Sequence, residues 1–200
     1  PLWGKPLVRH VIDQVRRARG VDACIVATSV DPLDDPLADY CCAQNVKVFR
    51  GDLDNVQQRY YNAALHFGVD QIIRVTADNP LIAPELIELL ITTWQQNPID
   101  YIAYRNCVVG TGSELFTFES FQRACARSRT PYDWEHVTPP YYRQPEFFTT
   151  LFLEPLPEYV ARGISVTVDT EDDFTRLAPF EALYRQKGYV TLADVCNHST

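Results

Sequence analysis

The chain has no methionine, no apolar run long enough to cross a membrane, and fewer basic than acidic side chains. A spanning helix needs roughly 20 consecutive apolar residues, and no stretch approaches that. Lys plus Arg number 18 against 26 Asp plus Glu, a formal net charge of −8. That balance leaves no basic footprint for duplex nucleic acid or an anionic membrane. An anionic ligand must therefore be held locally, by a few placed cations, backbone N–H groups or a metal ion. The six cysteines (Cys24, Cys41, Cys42, Cys107, Cys125 and Cys196) form no CxxC pair and no zinc spacing. The opening residues lack the continuous apolar region of a signal peptide. These cysteines therefore read as reduced thiols of a cytoplasmic protein, mostly small buried apolar groups. The missing methionine predicts residues upstream of Pro1, a single excised methionine, or modified residues dropped from the sequence. What is present is ordinary: 46% hydrophobic and 22% charged residues, which excludes disorder and collagen-like repeats.

Leu7, Val8, Val11, Ile12 and Val15 recur at helical spacing, with Arg9, Asp13, Arg16 and Arg17 on the other side. A short apolar run at 23–28 then suits a strand buried on both faces. The pattern continues as helix 34–43, strand 46–49, helix 55–67, strand 71–76 and a helix over 85–95 opened by Pro84. Strand and helix thus alternate to about residue 105, the signature of βαβ units on a mostly parallel sheet. A helix-first start is odd for such a sheet, so the opening strand is expected either upstream of Pro1 or missing from the sheet. Later strands are expected at 115–118, 147–153 and 165–168, and later helices at 119–127, 134–142 and 172–186. One α/β domain over 1–200 with an irregular second half is the expectation.

Ligands of open parallel sheets bind beyond the carboxyl ends of the strands. Asp78 ends an apolar strand with Pro80 and Pro84 behind it. It reads either as a Mg²⁺ ligand, because that ion wants hard oxygens, or as an Asx cap on the turn. Asp169 follows Val166-Thr167-Val168 directly and is either a second ligand or a loop carboxylate beside a capping box at Thr170 and Asp173. Two such aspartates at neighbouring strand ends could hold one divalent ion against phosphate oxygens. Glu135-His136 falls on an amphipathic segment, where a histidine is more often a satisfied packing residue than a functional one. Arg50, Arg59 and Arg74 are the cations nearest the rim, each a phosphate or carboxylate clamp by its fork geometry or an ordinary surface residue.

Taken in order, PLWGKPL at 1–7, VATS at 26–29, FRG at 49–51, RVTADNPL at 74–81, EHVTP at 135–139 and VDTED at 168–172 resemble a known family. It is the CTP-dependent cytidylyltransferases of the spore-coat polysaccharide SpsF type, relatives of the acylneuraminate and 3-deoxy-manno-octulosonate cytidylyltransferases. The resemblance runs from Pro1 to about Val195. It implies a Rossmann-like nucleotidyltransferase fold of the nucleotide-diphospho-sugar transferase type, with Mg²⁺ as cofactor and CTP as co-substrate. A substrate oxygen would attack the α-phosphate and pyrophosphate would leave, serving polysaccharide biosynthesis. On that resemblance Asp78 and Asp169 are the catalytic metal carboxylates. Thr28, Ser29, Arg50, Gly51 and Arg74 face the nucleotide, and Arg59, Glu114, Glu135 and His136 face a small anionic sugar or phosphorylated acceptor. A homodimer is implied by the same resemblance.

Three departures stand out. Ala77 replaces the usual glycine before the metal aspartate, and Gly112 stands where relatives often carry an acidic residue. The family's first strand and triphosphate loop would precede Pro1. Two other functions stay open on the residues alone. One is a nucleotide-sugar glycosyltransferase using a DxD-type cluster at Asp34-Asp35 or Asp52-x-Asp54, and the other is a non-catalytic binding or regulatory paralogue.

Overall fold

The computed structural model of the protein describes residues 1–160 and 163–198. Its first half alternates as the periodicity predicts. Helix α1 (Leu7–Val15) leads into strand β1 (Ile25–Ser29), helix α2 (Asp35–Ala43) and strand β2 (Lys47–Gly51). Helix α3 (Val56–Phe67), strand β3 (Gln71–Arg74), helix α4 (Pro84–Gln96) and strand β4 (Tyr101–Tyr104) follow. The local reasons are ordinary. The Asn55 side chain accepts the Gln58 N–H at the start of α3, and Pro84 sits in the first turn of α4, where no N–H is needed.

The strands fall into two groups. β1 and β2 pair in parallel, while the larger sheet runs β3-β5-β4-β6, with β5 over Glu114–Thr117 and β6 over Thr150–Leu153. β4 and β6 are parallel, but β5 runs antiparallel to both of its neighbours. The sheet is therefore mixed, with its parallel segments at β1–β2 and β4–β6. Helix α1 holds the two groups together. Val8 and Ile12 pack with Cys41 and Val46, whereas Val11 and Val15 pack with Ile87, Leu90 and Ile91 of α4. Each fully buried aliphatic side chain of this kind contributes about 1.5–3 kcal/mol.

The second half departs from the predicted spans at prolines. The expected helix 134–142 is two short helices, α6 (Pro131–His136) and α7 (Pro139–Arg143). Pro139 and Pro140 cannot continue a helix, because they lack the N–H and their rings meet the preceding turn. Helix α5 (Phe118–Arg127) forms as expected, with Thr117 capping Ser120. The expected helix 172–186 becomes α8 (Glu171–Leu177) and α9 (Glu181–Lys187), parted by a 3₁₀ turn holding Pro179. A last helix, α10 (Leu192–Asn197), and strand β4 were not foreseen as separate elements. The expected strand 165–168 makes only a bridge, Ser165 to Val109, and single main-chain bonds beyond it.

Candidate active site

At the carboxyl ends of β1 and β2, the side chains are spent on one another. Asp34 Oδ2 accepts the Thr28 hydroxyl at 2.7 Å, the Ser29 N–H at 2.9 Å and the Ser29 hydroxyl at 2.5 Å. Those bonds, Ser29's first and then Thr28's, hold the Asp34 carboxyl below its ordinary range. Thr28 and Ser29 are themselves buried, so what they present at the rim is main chain. Arg50 donates to the Ser29 carbonyl at 2.8 Å and to the Asp31 carbonyl at 2.9 Å, and pairs with Asp35 at 2.6 Å. It braces two strand ends. Beside Gly51 lies the stem of Arg59, whose guanidinium donates to the Asp52 carbonyl at 2.7 Å. Asp52 in turn caps the N–H groups of Asp54 and Asn55. Neither Asp34-Asp35 nor Asp52-x-Asp54 is thus a free carboxylate cluster of the glycosyltransferase type.

The antiparallel register of β3 and β5 sets Arg74 directly opposite Glu114. Facing cross-strand positions bring side chains within reach, and the two form an ion pair at 3.1 Å. Burial opposes the charge on Arg74, yet Glu114 and its neighbours outweigh it and the guanidinium pKa is raised. Glu114 Oε1 also accepts the Tyr101 hydroxyl at 2.7 Å and the Thr138 hydroxyl at 3.0 Å. Tyr101 stays a protonated donor, its pKa pushed up by burial and by the Glu114 charge. Arg74, Tyr101 and Glu114 line a cavity of about 440 Å³, together with Asn79, Tyr104, Asn106 and Tyr142.

Thr138 is aimed at Glu114 by an unusual turn. Val137 sits at φ 70°, ψ −50°, and the Thr138 N–H bonds back to the His136 carbonyl at 2.8 Å. This is the strained, positive-φ form of the γ-turn, on a β-branched residue that is fully buried. The buried Gln57 amide secures it by donating to the Val137 carbonyl at 2.7 Å. Glu135 and His136, just before the turn, are exposed, and His136 lies against the Tyr132 ring at 4.1 Å. Neither lines the cavity.

The loop 105–113 forms another wall, and two glycines allow it. Gly110 has φ +93°, and a Cβ there would lie 2.9 Å from the Thr167 nitrogen. A Cβ on Gly112 would lie 2.7 Å from Cys107 Sγ, so any side chain there requires the cysteine to shift. This close approach lets the Val166 N–H reach the Val109 carbonyl, and two residues on, the Val168 N–H reaches the Asp78 carbonyl at 2.9 Å. Asp78 and Asp169 are thereby brought to neighbouring positions. Asp78 lies between Thr76 and Asn79, both in the cavity wall. Among the described residues neither carboxylate has a hydrogen-bond or ion-pair partner, and no three His, Cys, Asp or Glu side chains cluster as metal ligands.

Of the residues singled out in the sequence, Arg74 and Glu114 line the cavity, whereas Asp78 and Asp169 do not and are related only through the Val168–Asp78 main-chain bond. Thr28, Ser29, Arg50, Gly51 and Arg59 stand together at the carboxyl ends of β1 and β2, outside the cavity lining. Tyr101, Thr138 and Tyr142 escaped sequence reasoning. Only the pairing of β4 with β5 shows that Tyr101 and Glu114 project from the same sheet face.

The family described as cytidylyltransferase matches this chain over residues 1–191. The spore coat polysaccharide biosynthesis protein SpsF of Bacillus subtilis is 28% identical over 194 residues, 94% of this chain and 79% of that one. A 3-deoxy-manno-octulosonate cytidylyltransferase of Anaeromyxobacter is 39% identical over 92 residues, 45% of this chain and 36% of that protein. In fold, the chain is similar to a cytidylyltransferase structure from Leptospira borgpetersenii, with a TM-score of 0.85 at 23% identity, covering 99% of this chain and 82% of the other.

Proposed function

The chain belongs to the cytidylyltransferase family, and from that premise we propose that it transfers CMP from CTP to a sugar acid or related acceptor, releasing pyrophosphate. The product would be an activated precursor of a cell-surface glycan. Its relatives support this reading, one a polysaccharide biosynthesis protein and one a 3-deoxy-manno-octulosonate cytidylyltransferase. The observation that supports it is the Val168 to Asp78 main-chain bond, which sets the backbone beside Asp169 against that of Asp78, one residue from Asn79 in the wall of a cavity large enough for a sugar.

Asp78 and Asp169 fit a magnesium ion by the chemistry of their donors. That ion is commonly held by one or two carboxylates, with substrate phosphates and water completing its shell, and two free carboxylates are what these two segments offer. When bound, such an ion neutralises charge on the phosphate oxygens. The rim at 28–31 and 50–52 presents main chain to the cytosine and ribose, held still by Asp34 and Arg50. An acceptor oxygen attacks the α-phosphorus, and the bond to the β-phosphate breaks. Glu135 and His136 lie outside the cavity wall, so the acceptor pocket proposed here is built on Arg74, Tyr101, Glu114 and Tyr142. A homodimer in the cytoplasm, where CTP is made, completes the reading. All six cysteines are free, and no described helix is long and apolar enough to cross a membrane.

Pyrophosphate release from CTP and Mg²⁺ across a panel of nonulosonic acids and phosphorylated acceptors tests the proposal, with UTP, ATP and GTP as controls. Release that needs CTP and one acceptor is the expected result. Equal release from UTP, or sugar transfer from a nucleotide sugar without pyrophosphate, would overturn it.

A further inference from the structure

The charges on the cavity wall are one cation and one anion, Arg74 and Glu114, and they are paired with each other at 3.1 Å. Beyond the wall, the unpartnered Asp78 carboxylate adjoins Asn79, and the other charges near it lie outside the lining. Arg105 lies over the Phe152 ring at 3.9 Å, and Glu154 accepts from the Asn106 amide at 2.9 Å. The rest of the wall is uncharged, partly aliphatic at Val75, Val108 and Val109, with the rings of Tyr101, Tyr104, Tyr142 and Phe152 and the side chains of Asn79 and Ser113. The hydroxyls of Tyr101 and Tyr104 are already donated, to Glu114 and to the Leu86 carbonyl.

A carboxylate or phosphate seated in this cavity would find no free cation on its wall. It would also face Glu114, whose grip on Arg74 is reinforced by Tyr101 and Thr138. An unpaired charge in such a site is costly. A sugar ring with hydroxyl or amide groups fits instead, its C–H faces against the rings and its O–H groups against carboxylate and amide oxygens.

We infer that the cavity receives the uncharged, hydroxyl-bearing part of the acceptor, and that Glu114 determines this specificity by neutralising Arg74. Any acid group of the acceptor stays outside the cavity. The inference rests on the reading of this cavity as the acceptor pocket, and it names the class of group the pocket selects.

The test compares two probes that differ at one carbon, glucose and glucuronate, by ligand-observed NMR titration of the full chain and of Glu114→Gln. The wild type is expected to favour glucose by roughly tenfold, and Glu114→Gln to erase or reverse that preference, because it frees the Arg74 charge. Thr138→Val removes one hydrogen bond to Glu114 but no charge, and is expected to leave the ratio unchanged. Glucuronate bound as tightly as glucose by the wild type, an unchanged ratio in Glu114→Gln, or no binding of either probe would each overturn the inference. Thermal melts of each variant confirm that the compared proteins are folded. The measurement needs neither CTP nor turnover, so a failure of pyrophosphate release would sink the proposed function separately.

Discussion

The Val168 N–H donates to the Asp78 carbonyl at 2.9 Å, and this one bond places the residue before Asp169 against the backbone of Asp78. It joins a turn that follows β3 to a segment just before α8. Asp78→Asn and Asp169→Asn are each expected to lower turnover by roughly a hundredfold or more, through lost stabilisation of phosphate charge. Stability should change by no more than about 0.5 kcal/mol, since neither carboxylate is buried or partnered. Pyrophosphate release and thermal melts on the same preparations check both halves, and full activity in either variant would remove that aspartate from the chemistry.

Val137 gives a prediction that reverses a usual order. Glycine is ordinarily less stable than alanine at an ordered position by about 0.5–1 kcal/mol. At φ 70° alanine keeps the steric strain and glycine sheds it, a difference of about 1–3 kcal/mol. Both variants lose the buried side chain, yet Val137→Gly should unfold at a urea concentration equal to or above that of Val137→Ala. A clearly more stable alanine variant would show that the turn stores no strain.

Gly112 and Cys107 should be coupled. Gly112→Ala puts a methyl 2.7 Å from Cys107 Sγ, an overpacking expected to cost about 1–3 kcal/mol. Cys107→Ala in the same chain makes room, and the double variant should recover most of that loss. A double-mutant cycle by urea denaturation measures the coupling, and additive losses would contradict the clash.

How much of this was legible in the sequence depends on the range of the interaction involved. The alternation from α1 to α4 was readable because apolar spacing reflects local periodicity and burial. Asp78 and Asp169 were expected as strand-end carboxylates, yet β3 stops at Arg74 and 165–168 makes only a bridge. The expected helix 134–142 failed because Pro139 and Pro140 outweigh the amphipathic pattern, and the strained turn at Val137 leaves no local signal. Tyr101 was invisible as a site residue, since its partnership with Glu114 comes from strand pairing. The hydroxyls of Thr28 and Ser29 looked available until Asp34 was seen to hold both.

Asp34 also sets a pH dependence. Its ordinary pKa of 3.8 is lowered in the folded protein by Ser29 and Thr28. A depressed carboxylate adds stability that is fully present above the unfolded value and is lost as pH falls through the folded one. The wild type should therefore lose stability as pH drops below about 4, and Asp34→Asn should lose less over that window. Urea midpoints at neutral pH and at pH values below 4 measure the difference, and parallel losses in the two proteins would refute it.

The bond between Val168 and Asp78 has a consequence for synthesis on the ribosome. Chains emerge N-terminus first, so a nascent protein that has cleared β6 already carries every residue of the cavity wall and the Val137 turn. It still lacks the segment that delivers the second aspartate. All residues of that wall are then present before the second aspartate, and on the proposed roles a product released there would bind without turning over. The order of the residues along the polypeptide thus sets the cavity wall ahead of the second carboxylate that the proposed chemistry needs.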